Sequence, residues 1–268
     1  MKLLLVGLGS IGSALLQGWQ KAGTFTDISV ISPHFEKSNL DQFPKAKFFH
    51  DVLEIEDLAW DYILFAVKPN ILPEILPHYQ RLMSDRTLFI SVAAALPLSR
   101  IQEGLGENAQ CARVMPNTPV IMNKGVCGLL MPNGSEQAKQ KLESLFLALG
   151  DTLWVDSDAA LDQITAISGC GPAYVFHMIE ALADAAENIG FTKEEALLLA
   201  KGTVWGAANY AHEANASPTQ LRENVTSPGG MTAAALQVLM SHEGLQALMK
   251  KAVAAALKRS EEMRASGS

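Results

Sequence analysis

The chain has 268 residues, 49% of them apolar and 18% charged, with a formal net charge of −7. At ~100–200 residues per domain this allows one large domain or two modest ones, and it is too apolar for disorder. An acidic balance with scattered Lys and Arg excludes a nucleic-acid groove and a polybasic membrane anchor, so neither partner is expected.

In chain order, residues 2–6, 28–31, 62–67, 88–92 and 110–114 form short, unalternated apolar runs. Such runs fit strands buried on both faces, as in parallel sheets. Between them lie helical patterns at 11–22, 71–83 and 98–104, with an irregular one near 52–58. Repeated strand and helix predict a doubly wound α/β layer. Residues 126–131 and 152–155 extend the sheet, with 136–149 as the helix between them. After about Asp158 strand candidates vanish, and 162–189, 193–214, 231–240 and 244–265 are Ala/Leu-rich at helical spacing. The expectation is a first domain over 1–158 and an all-helical second domain over 159–268, with a frayed tail from Arg264. Helices this rich in alanine suit close packing between subunits, because a helical domain of that size makes a thin core alone.

Three cysteines, Cys111, Cys127 and Cys170, stand far apart without a C-x-x-C pair. That excludes a disulfide scaffold and a cysteine zinc cluster, and it fits a reducing compartment. The histidines His34, His50, His78, His177, His212 and His242 show no ligand spacing, so no metal is expected. The opening run Leu3-Leu4-Leu5-Val6 stops at Gly7, short of the ~7–15 residues of a signal core, and no stretch nears the ~18 of a membrane span. A cytoplasmic protein is expected.

The sharpest motif is Gly7-Leu8-Gly9-Ser10-Ile11-Gly12, directly after the first predicted strand, Val6 being its last residue, and opening the first helix. Gly7 permits a tight turn, Gly9 lets backbone approach a pyrophosphate, and Gly12 lets the helix pack on the strand. The helix N-terminus adds N–H donors and positive potential. An NAD site usually places Asp or Glu at the end of the second strand, yet Asp27 precedes that strand and Ser32-Pro33-His34 ends it, with Lys37 nearby. A hydroxyl and nearby cations suit a 2′-phosphate, which favours NADP(H) over NAD(H); an acid at Asp51 pulls the other way. Ala66-Val67-Lys68-Pro69 and, within Ser91-Val92-Ala93-Ala94, the pair Ala93 and Ala94 end two further strands. Ligands of open α/β sheets lie outside such ends. Lys68 is placed to meet the cofactor or a carboxylate.

Arg113-Val114-Met115-Pro116-Asn117-Thr118-Pro119 reads as a proline-bracketed loop, either a pocket wall or a fixed turn. Ser168-Gly169-Cys170-Gly171-Pro172-Ala173-Tyr174 reads as a close crossing or a helix start, with Cys170 packing. Val225-Thr226-Ser227-Pro228-Gly229-Gly230-Met231-Thr232 precedes a helix. Its glycines and proline build a nest of backbone N–H groups suited to a small carboxylate, with hydroxyls from Ser227 and Thr232.

These motifs, above all the stretch from Pro218 to Leu239, together resemble the pyrroline-5-carboxylate reductase family over nearly the whole chain. The resemblance implies a Rossmann-type doubly wound sheet followed by an all-helical C-terminal dimerisation domain, and a homodimer often assembled into a ring of dimers. It implies hydride transfer from NAD(P)H to L-1-pyrroline-5-carboxylate, giving L-proline. Substrate would meet Ser227, Gly229, Gly230, Met231 and Thr232 of the second subunit, and Thr232, Ser227 and Lys68 are the candidates for catalysis. A protonated cyclic imine is already a hydride acceptor, so orientation and charge stabilisation suffice. Met240 and Gly202-Thr203 depart from the family's habit at positions that bear on packing. The alternatives are a β-hydroxyacid dehydrogenase-like reductase and a non-catalytic NADP(H)-binding sensor. The first wants a lysine on the long helix after Ser168-Gly169, and no Lys or Arg occurs between Lys141 and Lys193.

Overall fold

The computed structural model describes residues 1–57 and 59–265. In chain order the elements are β1 (Lys2–Val6), α1 (Ser10–Ala22), β2 (Asp27–Ile31), α2 (Lys37–Gln42), β3 (Ala46–Phe49), β4 (Tyr62–Phe65), α3 (Leu72–Ile75), β5 (Leu88–Ser91), α4 (Leu98–Leu105), β6 (Gln110–Met115), β7 (Gly125–Leu130), α5 (Glu136–Leu147) and β8 (Gly150–Val155). The helical part follows as α6 (Asp158–Ile164), α7 (Gly171–Asn188), α8 (Lys193–Glu213), α9 (Pro218–Asn224), α10 (Met231–Leu239) and α11 (Leu245–Ala265).

The strands make one sheet in the order β3-β2-β1-β4-β5-β6-β7-β8. All neighbours are parallel except β6 and β7. The order reverses between β1 and β4, and such a switch point opens a crevice at the carboxyl ends of the strands. Successive side chains of a strand serve opposite faces. Leu3 and Leu5 therefore enter the layer with Leu15, Leu16, Trp19 and Phe146, while Leu4 and Val6 enter the layer with Leu72, Leu76, Tyr79 and Ile101. This is why the strand sequences are apolar without alternation. At ~1.5–3 kcal/mol per fully buried large apolar side chain, these two layers hold the sheet between its helices.

The chain divides into two compact units, residues 171–255 and the remainder. The helical unit has a small core of Ala183, Ala196 and Ala200 between α7 and α8. Thr192 caps α8, accepting from the Glu195 N–H while the Glu195 carboxylate accepts from the Thr192 N–H.

Several expectations shift locally. The helix expected at 71–83 is α3 followed by a 3₁₀ segment, Leu76–Leu82, because Pro77 lacks the N–H that an α-helix needs there. The irregular helix near 52–58 is one 3₁₀ turn, Val52–Glu54; Leu58 lies outside the described residues. The long helix expected over 162–189 is interrupted by a π-turn, Thr165–Gly169. Of the tail expected to fray, Arg264 is helical, and residues 266–268 lie outside the described set.

Candidate active site

The glycine motif folds as its spacing requires. Gly7 has φ +96°, and a Cβ there would lie 2.6 Å from the Ala66 carbonyl oxygen. A Cβ on Gly12 would lie 2.4 Å from the Gly7 carbonyl oxygen, so glycine is what lets α1 close on β1. Gly9 differs: a Cβ there would meet nothing within 4 Å. Gly9 caps α1 through an extended backbone with no side-chain cap, and no acid occupies the first turn. The leading N–H groups of α1 have no intrahelical partner and no side-chain cap, an arrangement that suits an anion.

The neighbouring loops are tied to this turn. Gly7 N–H donates to the Ile31 carbonyl at 2.8 Å, Ser32 N–H to Phe49 at 3.0 Å, Ala66 N–H to Val6 at 2.7 Å, and Val92 N–H to Phe65 at 3.1 Å. Val6, the loop from Gly7 to Gly12, Ser32, Ala66 to Pro69, and Ala93 with Ala94 therefore gather at the carboxyl edge, on both sides of the switch point. Lys68 is exposed there. Asp27 opens β2 at the opposite edge, 3.7 Å from Lys47, away from any ribose on the carboxyl side. Asp51 uses its carboxylate to accept the Leu53 N–H at 2.8 Å.

Within the helical unit, Gly229 has φ +70°, and Gly230 N–H donates to the Ser227 carbonyl at 3.0 Å. A Cβ on Gly230 would strike Ser227 Oγ at 2.4 Å. Gly230 then caps α10 without a side-chain bond, so the first N–H groups of that helix also lack a protein side-chain cap. Ser227, Gly229, Met231 and Thr232 are exposed around this turn, Met231 by 92%.

Two concavities lie elsewhere and collect none of these residues. One of about 240 Å³ opens among Asp61, Arg86, Gln110 and Lys141, and a groove of about 770 Å³ runs past Glu136, Lys139 and Trp154. Cys111 and Cys127 are buried, and burial pushes each thiol up to about 12, which suits packing rather than nucleophilic attack. Among the described residues, no three His, Cys, Asp or Glu side chains converge as metal ligands, and no helix is long and apolar enough to cross a membrane.

Of the two forms open to residues 113–119, a pocket wall or a fixed turn, the contacts favour the turn. Asn117 accepts from Val126 N–H at 2.9 Å and donates to the Ser168 carbonyl at 3.0 Å. Arg113 itself, which no motif marks, is 1% exposed and paired with Asp158. The signal was present as a lone cation inside the apolar run Cys111-Ala112-Arg113-Val114-Met115.

Residues 158–263 match the family model described as pyrroline-5-carboxylate reductase dimerisation, and residues 2–95 match that described as NADP oxidoreductase, coenzyme F420-dependent. The pyrroline-5-carboxylate reductase of Pseudomonas aeruginosa is 32% identical, over 98% of this chain and 96% of its own. A solved pyrroline-5-carboxylate reductase of Coxiella burnetii superposes with a TM-score of 0.88 at 34% identity, over 97% of each chain. That of Plasmodium falciparum, solved with NADP bound, superposes with a TM-score of 0.85 at 29% identity, over 98% of each.

Proposed function

The chain belongs to the pyrroline-5-carboxylate reductase family, and from that premise we propose that it reduces L-1-pyrroline-5-carboxylate to L-proline with a nicotinamide cofactor. The observation that carries the reading is the paired architecture on one chain. An uncapped Gly9 turn stands at the switch point of a parallel sheet, and an uncapped Gly229-Gly230 turn stands in the helical unit. The first fits a pyrophosphate and the second a small carboxylate.

In this reading residues 1–158 bind the dinucleotide, and residues 159–268 supply dimerisation and substrate binding. Gly7 to Gly12 hold the pyrophosphate, with the edge of Val6 beneath them. Ala66, Val67, Lys68, Pro69, Ala93 and Ala94 flank the nicotinamide. Ser32 hydrogen-bonds the 2′-phosphate, so NADP(H) is preferred over NAD(H). When bound, the dihydronicotinamide supplies the hydride.

The remaining work falls to the chain. Ser227 and the N–H groups of Gly229, Gly230 and Met231 hold the substrate carboxylate, in a cradle contributed by a second copy of the chain. The Thr232 hydroxyl hydrogen-bonds the ring nitrogen and keeps it protonated, so C5 is electrophilic when hydride arrives. The small side chains of Ala93 and Ala94 let the two rings approach. Homodimers arranged as a ring complete the assembly.

The test is loss of dihydronicotinamide absorbance with 1-pyrroline-5-carboxylate, run with NADPH and NADH at matched concentration. Turnover with proline as product, faster with NADPH, is expected. Thr232→Ala is expected to lower kcat by about a hundredfold, the usual scale for a positioned proton-transfer group, with cofactor affinity kept. Cofactor binding without turnover in the parent protein would instead support the sensor.

A further inference from the structure

The turn between β5 and α4 is held by more than its own sequence requires. Ala95 adopts φ 59°, a left-handed conformation that an L side chain tolerates only under constraint. The Ala93 N–H donates to Ser91 Oγ at 3.2 Å, and the Ala93 carbonyl accepts from Arg113 Nη2 at 3.4 Å. At the far end of the turn, Leu98 N–H donates to the Asp158 carboxylate at 3.2 Å. The other amino group of Arg113 pairs with that same carboxylate. One Arg–Asp pair therefore clamps the turn at both ends.

The pair belongs to a larger cluster, buried at Arg113 and Asp162 and half-buried at Asp158 and Arg264. Arg113 Nη2 lies 3.9 Å from Asp162 Oδ1, and Arg264 Nη2, from the last turn of α11, lies 2.5 Å from Asp162 Oδ2. Arg113 and Asp162 are each 1% exposed. Two cations and two carboxylates cancel in charge, which is how buried ionic groups are tolerated. The cluster is not tuned for bonding: Arg113 Nε has no hydrogen-bond partner among the described residues, and Asp162 Oδ2 meets Arg264 as an ion pair without an aligned hydrogen bond. Apolar side chains of similar volume often serve stability as well or better. What they do not do is hold a carbonyl and an N–H in place across a strained turn.

We infer that Arg113 is a positioning residue for the nicotinamide end of the cofactor. Through the Ala93 carbonyl and the Asp158 carboxylate it fixes the turn on which Ala93 and Ala94 stand, and Asp162 carries that constraint to Arg264. The inference rests on the cofactor reading above. Arg113→Lys keeps the charge but cannot span Asp158 and the Ala93 carbonyl together. Asp158→Asn keeps an acceptor for Leu98 and removes the charge facing Arg113. For each, affinity is measured by fluorescence titration for the dinucleotide and for its adenosine half alone, adenosine 2′,5′-bisphosphate for NADPH or AMP for NADH. The deuterium isotope effect is then read with cofactor labelled at the transferred hydride.

Dinucleotide affinity is expected to fall about five- to tenfold, the scale of coupling through packed networks. Affinity for the adenosine half stays unchanged, and the isotope effect rises as hydride transfer slows. Equal weakening of both ligands, unchanged dinucleotide affinity in both variants, or loss of the fold in both overturns the inference, because the cluster then serves stability alone. A parent protein that binds neither ligand overturns the cofactor reading with it. One that binds the dinucleotide but does not turn over leaves the affinity comparison intact.

Discussion

Gly9 and Gly12 sit three residues apart and answer to different physics. A side chain at Gly9 meets no protein atom within 4 Å, so Gly9→Glu is expected to leave the thermal midpoint close to that of the parent. It would also place a carboxylate among the N–H groups proposed to hold a pyrophosphate. NADPH affinity is then expected to drop beyond detection in a fluorescence titration, and unchanged affinity would remove the dinucleotide assignment. Gly12→Ala has the opposite profile. Its Cβ would fall 2.4 Å from the Gly7 carbonyl oxygen, an overpacking that costs about 1–3 kcal/mol of stability by chemical denaturation. The cysteines give a second contrast at this scale. Cys111 and Cys127 are buried with thiols raised to about 12, while Cys170 is half-buried. A thiol reagent at mildly alkaline pH is expected to modify Cys170 alone in the native protein and all three after unfolding. Because folding raises the two buried thiols above their ordinary value of 9.0, unfolding releases their protons above that pH, and stability declines as pH climbs from there.

Among the elements, caps decide more than composition does. Thr192 accepts the Glu195 N–H, and Glu195 answers with its carboxylate on the Thr192 backbone and hydroxyl. Thr192→Ala is expected to cost about 1 kcal/mol, the usual worth of an N-cap hydroxyl. The backbone and hydroxyl of Thr192 hold the Glu195 carboxyl below its ordinary value of 4.5. That contribution is present above the ordinary value and fades as pH falls through the lowered one. The deficit of Thr192→Ala in thermal scans should therefore be largest near neutrality and shrink in acid; a deficit that grows in acid would refute the assignment.

The same scale shows what the sequence made legible. Buried parallel strands announce themselves as apolar runs, and β1, β2, β4, β5 and β6 were readable for that reason. β3, Ala46–Phe49, was not, because it is an edge strand of four residues whose side chains are only partly buried. α9 was missed although Ser217 and Gln220 form a capping box at its start, since its seven residues are too few to show periodicity. The loops at the carboxyl ends of the strands, to which we assign the cofactor, were legible because small residues and glycine mark those ends. The Arg113 cluster was not, because Asp158, Asp162 and Arg264 meet Arg113 only through tertiary packing and carry no common spacing.

For the whole molecule, the imbalance of apolar surface is the strongest constraint. Residues 171–255 bury only three alanines as a hydrophobic core. Phe176 on α7 (59% exposed), Leu198 (72%) and Trp205 (62%) on α8, and Val238 on α10 (71%) stand open in the same unit. Large apolar side chains left open in such number mark a partner surface, and the match of residues 158–263 to a dimerisation model points to a second copy as that partner. If folding of the helical unit is completed by association, stability must depend on protomer concentration. The thermal midpoint of the parent protein is accordingly expected to rise as the protein is concentrated, with a dimer or larger species in sedimentation. Leu198→Glu combined with Trp205→Glu adds charges to two of these exposed sites on α8. That pair is expected to give a monomer whose midpoint no longer responds to concentration, and whose turnover is lost if, as proposed, a second copy contributes the cradle from Ser227 to Thr232. NADPH binding should survive in this monomer, since the Gly9 turn and the strand ends beside it belong to the sheet. A monomeric parent, or a monomeric variant that retains full turnover, would place substrate binding within one subunit instead.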